Sequence, residues 1–278
     1  MKRILIPTDF SKNSWNAIKY AIRFFRAVNC TFYLLHVANL NERPIHNLSF
    51  GIPMSSADIP TKNQLESILE NAKGCTNPKH HKWVPLLQYG YLIDMMRRQI
   101  VENKIDLVVM GTKGASGLKK LIIGSNTGDV ITKVHCNTLV VPEDVRYQTP
   151  REILFPTDYN TFYSNIILDT MSELIQRSTA NLSVLHIAKS NGDLSENQKI
   201  NRKYLKDYLD EILLKNNGFH LIKGDNTVKE IQKFVVEHKI DFMVMVAKNL
   251  NFLQQILFDS TVEKVSFHTK VPFFIIHE

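Results

Sequence analysis

The chain has 278 residues, of which 44% are hydrophobic and 22% are charged, a balance that is typical of folded globular proteins and excludes a disordered or fibrous chain. No apolar run approaches the roughly 20 residues of a membrane span, and three cysteines without a Cys-x-x-Cys pair favour a reducing compartment, so we expect a cytoplasmic protein. The formal net charge of +7 arises wholly in residues 1–146, with 19 basic and 11 acidic residues, and indicates either an anionic partner or a lysine-rich solvated surface.

Short apolar strands alternate with amphipathic helices from the start of the chain. Residues 4–6 predict the first strand, and Ser11 can cap the helix that follows. Residues 32–37 predict the second strand, and a second helix ends near Gly74. The intervening stretch 39–60 has neither a helical nor a strand period, so it predicts a loop that runs over the edge of the sheet.

The same alternation continues through three more strands. Residues 84–87 predict the third strand, and a third helix begins near Ile93. Residues 107–110 are consecutively apolar, as in a strand buried on both faces, and a helix begins near Ser125. Residues 138–141 predict the fifth strand. Strict alternation predicts a parallel sheet with helices on both faces, and such a sheet binds ligands at the carboxyl ends of its strands.

The chain contains the same sequence pattern twice. Three segments of the first half recur in the same order in the second half: residues 3–9 and 152–158, 35–38 and 185–188, and 104–110 and 239–245. Three ordered matches indicate two copies of one domain, with about fifteen residues deleted from the second copy. We therefore expect two domains, residues 1–146 and 147–278, joined by a short linker before Pro150.

A glycine motif follows the fourth strand of the first copy. Gly111 and Gly114 are separated by two residues, and Gly124-Ser125 comes nine residues later, where a helix begins. Glycine lets the backbone approach a ligand closely, and exposed N–H groups in such turns bind anions. A helix N-terminus adds a favourable dipole for phosphate. The alternative is that the glycines only shape a turn, but the added Gly-Ser at a helix start favours phosphate binding.

Other chemical motifs are absent or weak. The sequence has no P-loop, no Gly-x-Gly-x-x-Gly, no His-Glu-x-x-His and no Gly-x-Ser-x-Gly pattern. Cys75, His80 and His81 lie close together, but three ligands in a loop-like segment are weak evidence for a metal site. We expect neither a metal centre nor catalytic residues.

Three segments resemble the universal stress protein family: Ile-Pro-Thr-Asp-Phe-Ser at residues 6–11, Leu-His-Val at residues 35–37, and the glycine motif. The resemblance covers both copies. It implies an α/β fold of two tandem Rossmann-like domains, each with a five-stranded parallel sheet and helices on both faces. It also implies a site for ATP, or for ADP or AMP, with Mg²⁺ as a further candidate. The implied site residues are Pro7, Thr8, Asp9, Val37, Met110, Gly111, Gly114, Gly124, Ser125, Asn126 and Thr127.

Within that resemblance, Asp9 and the Val37 backbone recognise adenine, Pro7 and Thr8 line the adenine and ribose pocket, and the glycines bind phosphate. The position of Asp9 at a strand end suits this role, because a carboxylate there can accept hydrogen bonds from a ribose or adenine. An Asx turn that enters the first helix explains Asp9 equally well.

The second copy departs from the motif. Val246 and Asn249 replace the first two glycines, and Phe258-Asp259 replaces Gly124-Ser125. A carboxylate at the phosphate-facing helix start would repel phosphate. We therefore expect the second copy to be structural and to form an internal pseudo-dimer with the first through the last strands of the two copies.

The resulting prediction is a nucleotide-binding stress-response regulator with one site in the first domain. We expect it to be no enzyme, or at most a slow ATPase, because the Ser-Gly-Gly-x-Asp-Ser loop of ATP pyrophosphatases is absent. The alternative is a partner-binding scaffold that works without nucleotide. Expected partners are an adenine nucleotide and a second copy or an unknown protein, with neither nucleic acid nor membrane.

Overall fold

The computed structural model divides the chain into two units, the first ending at Tyr147 and the second beginning at Gln148. The described residues are 1–38, 59–112, 124–188, 193–213, 217–248, 252, 256 and 271–278. Within them, each unit contains five parallel strands, and the strand order is the same in both units. The chain is therefore an α/β protein of two tandem Rossmann-like units, as the sequence predicts.

The described elements of the first unit alternate between strand and helix. They are β1 (Lys2–Pro7), α1 (Lys12–Phe24), β2 (Cys30–Ala38), α2 (Ile59–Gly74), β3 (His81–Tyr89), α3 (Leu92–Asn103), β4 (Leu107–Gly111), α4 (Ser125–Lys133) and β5 (Thr138–Val141). Their sheet has the order β3-β2-β1-β4-β5. The strand order reverses between β1 and β4, and open α/β sheets bind ligands at the carboxyl ends of the strands flanking such a reversal.

The central strands of the first unit are the most deeply buried. Ile4, Leu5 and Ile6 of β1 are completely inaccessible to solvent, and all five residues of β4 are buried. This agrees with the consecutively apolar sequences of both strands, because helices cover a parallel sheet on both faces. Such a packed base holds the loops at the carboxyl edge in place.

Helix α1 begins where the sequence predicts. The Ser11 side chain accepts a hydrogen bond from the backbone N–H of Ser14 at 3.2 Å, which caps the helix. Asp9 Oδ1 accepts from the N–H of Ser11 at 3.1 Å, so Asp9 forms the Asx turn that the sequence allowed. Helix α2 begins at Ile59, so Ile59 and Pro60 are helical rather than part of the predicted loop. The remainder of that loop, residues 39–58, lies outside the described residues.

The described elements of the second unit follow the same order as far as its fourth strand, and its fifth strand is also described. They are β6 (Glu152–Pro156), α5 (Asn165–Ser178), β7 (Asn181–Ala188), α6 (Glu196–Leu213), β8 (Asn217–Lys223), α7 (Thr227–Glu237), β9 (Phe242–Val246) and β10 (Phe273–Ile276). Their order in the sheet is β8-β7-β6-β9-β10. The pairing of the two units as a pseudo-dimer stays a prediction.

A pair of histidines packs around a phenylalanine in the second unit. The ring of His220 on β8 lies 5.0 Å from the ring of Phe234 and 5.6 Å from the ring of His238. His238 ends α7 and stacks on Phe234 at 3.7 Å between ring centroids. Burial, followed by the nearby His238, lowers the pKa of His220 below its usual value.

We expect acid to destabilise the second unit through His220. Because the folded-state pKa is lowered, the unfolded chain binds more protons, and stability is lost as the pH falls below about 6.5. Thermal unfolding between pH 5 and 8 measures this effect. A His220→Phe variant keeps an aromatic ring beside Phe234 and should show a flatter pH dependence. Identical pH profiles for the wild type and the variant would contradict the assignment.

Candidate functional site

A cavity of about 400 Å³ opens at the carboxyl edge of the first sheet. It lies where β1, β2 and β4 end and where α3 and α4 begin. Its lining residues are Pro7, Thr8, Asp9, Ser14, Leu35, His36, Val37, Gly90, Tyr91, Leu92, Met110, Gly111, Asn126 and Thr127. This volume is within the range of small-molecule sites.

The turn after β1 forms one wall of the cavity, and its hydroxyls are hydrogen-bonded within the wall. Thr8 Oγ1 accepts from the N–H of Phe10 at 3.1 Å, and Ser14 Oγ donates to the carbonyl of Ser11 at 3.0 Å. The Thr8 and Ser14 hydroxyls also hydrogen-bond to each other at 3.0 Å, and either can be the donor. Together with the Asp9 carboxylate, this wall presents acceptors to a ligand.

His36 on β2 adds another acceptor to the same wall. Its Nδ1 lies 2.8 Å from the carbonyl oxygen of Thr8, and since a carbonyl only accepts, Nδ1 carries the proton. When this ring carries a single proton, Nε2 is an acceptor. Phe10 stacks on this ring at 4.1 Å and has a φ of 64°, an uncommon value for a bulky residue. The stacked ring and the hydrogen bond hold the imidazole in one orientation.

The direction of the Val37 backbone follows from the register of β2. The carbonyl of Leu35 faces β1 and accepts from the N–H of Thr8 at 2.8 Å. In a strand, backbone groups two residues apart face the same neighbour. The peptide groups of Val37 therefore face the β1 side, but β1 ends at Pro7, so they border the cavity.

The end of β4 and the start of α4 form the opposite wall. Thr127 Oγ1 donates to the carbonyl of Gly111 at 2.9 Å, which ties the first turn of α4 to the strand end. The N–H of Gly124, the N-cap of α4, donates to the carbonyl of Thr112 at 2.7 Å. The first intrahelical bond runs from the N–H of Gly128 to the carbonyl of Gly124. The N–H groups of Ser125, Asn126 and Thr127 therefore have no acceptor within the helix, which is the arrangement that binds anions.

A glycine is required at the end of β4. A Cβ atom at Gly111 would lie 2.6–2.7 Å from three side-chain atoms of Asn13, closer than real Cβ atoms approach other atoms. Asn13 is only 3% exposed on α1, so displacing its side chain would disturb a packed interior. The close approach of helix and strand thus explains this glycine independently of any ligand.

The structure brings most of the predicted site residues together. Those that line the cavity are Pro7, Thr8, Asp9, Val37, Met110, Gly111, Asn126 and Thr127. Gly124 and Ser125 begin α4 immediately before Asn126 and lie beside the lining rather than in it. Gly114 lies outside the described residues.

Several lining residues are not among the predicted site residues. Gly90, Tyr91 and Leu92 follow β3, which carries no glycine motif, and Ser14 lies in the first turn of α1. A signal for the loop 90–92 is available in the sequence. Gly90 lies between a strand and a helix, and a loop that follows a parallel strand lies at the same carboxyl edge of the sheet.

Among the described residues of the second unit, the space at the corresponding place is small. It measures about 20 Å³ and is lined by Thr157, Asp158, Tyr163 and their neighbours. Tyr163 stands where the first unit has Ser14, and its hydroxyl lies 2.6 Å from Thr157 Oγ1. Burial raises the pKa of the Tyr163 phenol. The phenol therefore remains neutral and fills the cleft.

Two further features cover the second cleft. Val246, at the position of Gly111, borders the small space. On α6, the side-chain amide of Gln198 donates to the carbonyl of Asp158 at 2.7 Å, and that of Asn201 donates to the carbonyl of Tyr159 at 2.8 Å. Asn249, Phe258 and Asp259 lie outside the described residues.

The histidines near Cys75 have other hydrogen-bond partners. His80 Nδ1 lies 2.8 Å from Asn29 Oδ1, and His81 Nε2 lies 3.0 Å from the carbonyl of Phe25. Within the described ranges, no three His, Cys, Asp or Glu side chains form a group that could hold a metal ion. In that same part of the chain, no helix combines the length and apolar character needed to cross a membrane.

The chain is similar in sequence to known proteins. A sequence model described as the Universal stress protein family matches residues 1–142. A universal stress protein of Methanocaldococcus jannaschii is 29% identical over 144 residues, which are 50% of this chain and 81% of the relative. Another from the same organism is 28% identical over 152 residues, covering 50% of this chain and 94% of the relative.

Among solved structures, the chain is similar to the crystal structure of a universal stress protein from Archaeoglobus fulgidus. The TM-score is 0.70 at 18% sequence identity, and the match covers 99% of this chain and 96% of the other. At this identity the likeness shows the fold, and it extends across both units.

Proposed function

The chain belongs to the universal stress protein family, and from that premise we propose that its first unit binds an adenine nucleotide, ATP in particular, in a regulatory stress-response role. The observation that supports this proposal is the convergence of eight predicted residues on one cavity of about 400 Å³. The proposed domains are residues 1–146, which carry the site, and residues 147–278, which are structural.

The two walls of the cavity suit the two ends of a nucleotide. The wall after β1 presents the Asp9 carboxylate, His36 Nε2 and the Val37 backbone, which can accept hydrogen bonds from an adenine amino group or ribose hydroxyls. The start of α4 presents backbone N–H groups to phosphate. In this arrangement Gly111, Gly114, Gly124 and Ser125 lie along the phosphates. Mg²⁺ would enter with ATP through its phosphate oxygens.

The role is one of binding rather than rapid chemistry. The hydroxyls of Thr8 and Ser14 hydrogen-bond to each other and to the backbone, and His36 holds the carbonyl of Thr8. None of these groups forms the hydrogen-bonded nucleophile and base pair that fast covalent catalysis uses. At most we expect slow hydrolysis of ATP.

A cytoplasmic location is part of the proposal. The three cysteines are unbridged in the structure, as is usual in a reducing compartment. Burial raises the pKa of the Cys136 thiol to about 12, so this thiol remains protonated and unreactive.

We expect one ATP per chain. The first unit has an open cleft of about 400 Å³, whereas the described residues of the second, including Tyr163 and Val246, line a space of only about 20 Å³. Isothermal titration calorimetry of the full chain with ATP should give a stoichiometry near one, and acid extraction of the purified protein should release an adenine nucleotide. Two equivalent ATP sites would contradict the proposal, as would the absence of any heat of binding.

A scaffold that works without nucleotide is the second candidate, favoured by apolar side chains on the surface of the second unit. Phe162 and Tyr204 stack at 5.7 Å between ring centroids, and they are 59% and 39% exposed. Ile200, one turn before Tyr204 on α6, is 63% exposed. Affinity capture with the full chain, with and without ATP, separates the two candidates. A partner set that does not respond to ATP would favour the scaffold.

A further inference from the structure

Tyr91 has an unusual environment for an aromatic residue. It lines the cavity of the first unit, yet 75% of its surface is exposed to solvent. An aromatic ring normally gains its stabilisation by packing against other groups. Packing within the described protein therefore does not account for a tyrosine at the mouth of this cleft.

Helix capping does not account for Tyr91 either. Tyr91 is the N-cap of α3, and its side chain makes no capping hydrogen bond. Serine, threonine, asparagine or aspartate would accept a hydrogen bond from the first turn at this position, whereas a tyrosine ring does not. At this position the chain therefore lacks the common N-cap hydrogen bond and has an aromatic ring at the cleft instead.

The backbone holds the ring beside the base end of the cavity. Gly90 adopts a φ of +144°, and its N–H donates to the carbonyl of Ala38 at 3.1 Å. Because Ala38 is paired with Tyr89 in the sheet, Tyr91 is two residues beyond that pair and close to the end of β2. Val37, which borders the same cavity, lies on that strand end.

The second unit provides an internal comparison. The loop after β8 begins in the same way, with the N–H of Gly224 donating to the carbonyl of Ala188 at 3.0 Å. Asp225 then stands in place of Tyr91, and Asn226 caps α7 by accepting from the N–H of Lys229 at 2.9 Å. The filled cleft therefore has a capped helix and no ring, whereas the open cleft has the ring and no cap.

We propose that Tyr91 is a base-stacking residue, whose ring covers one face of the nucleobase in the first-unit cleft. This inference rests on the proposed nucleotide site and names the residue that recognises the flat face of the ligand. Stacking depends on the π-face rather than on a hydrogen-bond pattern. Tyr91 thus favours ligands with an aromatic base, while the acceptors on the wall after β1 select among the bases.

The first test is the affinity of the full chain for ATP, measured by calorimetry. A Tyr91→Ala variant should bind about tenfold more weakly, as expected for the loss of one base–aromatic stack. A Tyr91→Phe variant keeps the ring and should stay within about threefold of the wild type. Val101, which is 77% exposed on the same helix, provides the matched control Val101→Ala, which should bind like the wild type.

The second test reports contact with the ring directly. The fluorescence of a Tyr91→Trp variant should fall on addition of ATP by more than that of the wild type, which has two tryptophans. A Val101→Trp variant should change no more than the wild type. If wild-type protein binds ATP while Tyr91→Ala binds equally well, or if Tyr91→Trp shows no added quenching, base stacking is overturned and the nucleotide site stands. If wild-type protein binds no adenine nucleotide, both proposals fall.

Discussion

A Gly124→Asp variant is expected to lose ATP binding, by about 100-fold or more, while it keeps its fold. The new carboxylate would lie at the N-cap of α4, where the phosphates are proposed to bind. Two unit charges a few ångströms apart repel by about 4 kcal/mol at an effective dielectric constant of 20, which corresponds to more than 100-fold in affinity. Aspartate is also a favoured N-cap, so the helix itself should be at least as stable as before.

The matched control for this variant is Gly124→Asn. Asparagine has nearly the same shape and also caps helices well, but it carries no charge. Calorimetry should show a much smaller loss for Gly124→Asn than for Gly124→Asp, and circular dichroism should show native spectra for both. Equal affinities for the wild type and Gly124→Asp would refute the placement of phosphate at the start of α4.

The second large effect is expected at Gly111. A Gly111→Val variant should be destabilised by about 1–3 kcal/mol, as is typical when atoms are forced into a packed interior. It should also lose ATP binding. The reason is the buried Asn13 side chain, which lies 2.6–2.7 Å from the position of a Cβ. A displaced Asn13 and the added methyl groups would narrow the cleft where β4 ends, at the position that Val246 holds in the second unit.

Gly111→Ala and Gly74→Ala form a matched pair for this prediction. Both add one methyl group, but no atom lies within 4 Å of a Cβ at Gly74. Thermal unfolding should show a lower melting temperature for Gly111→Ala and no loss for Gly74→Ala. A Gly111→Val protein with wild-type stability and wild-type affinity would show that the close contact with Asn13 is unimportant.

The predicted site residues that line the cleft lie on segments with a strong sequence pattern. Pro7, Thr8 and Asp9 directly follow an apolar strand, and Gly111 ends another. In an alternating α/β chain the carboxyl ends of parallel strands meet at one edge. That rule alone brings together residues more than 100 positions apart.

Other features could not be predicted from the sequence because they depend on side-chain geometry. The lost glycines of the second copy predict that it does not bind nucleotide, but they do not predict that Tyr163 lies in its cleft, because Tyr163 looks in sequence like any apolar residue before a helix. The exposure of Tyr91 likewise depends on how Gly90 turns the chain after β3. The hydrophobic periodicity of a sequence shows which residues are apolar, but it does not show where the side chain of one tyrosine points.

Because Tyr163 lies in the cleft of the second unit, the proposed nucleotide links ligand concentration to the folding stability of the first unit only. Tyr163 is part of the folded second unit, so its contacts contribute at every concentration of nucleotide. The proposed site in the first unit adds stability only when nucleotide is bound, by RT ln(1 + [L]/Kd), which is about 2.7 kcal/mol at 100 times the dissociation constant. If ATP binds as proposed, a fall in its concentration would weaken the first unit and leave the second unchanged.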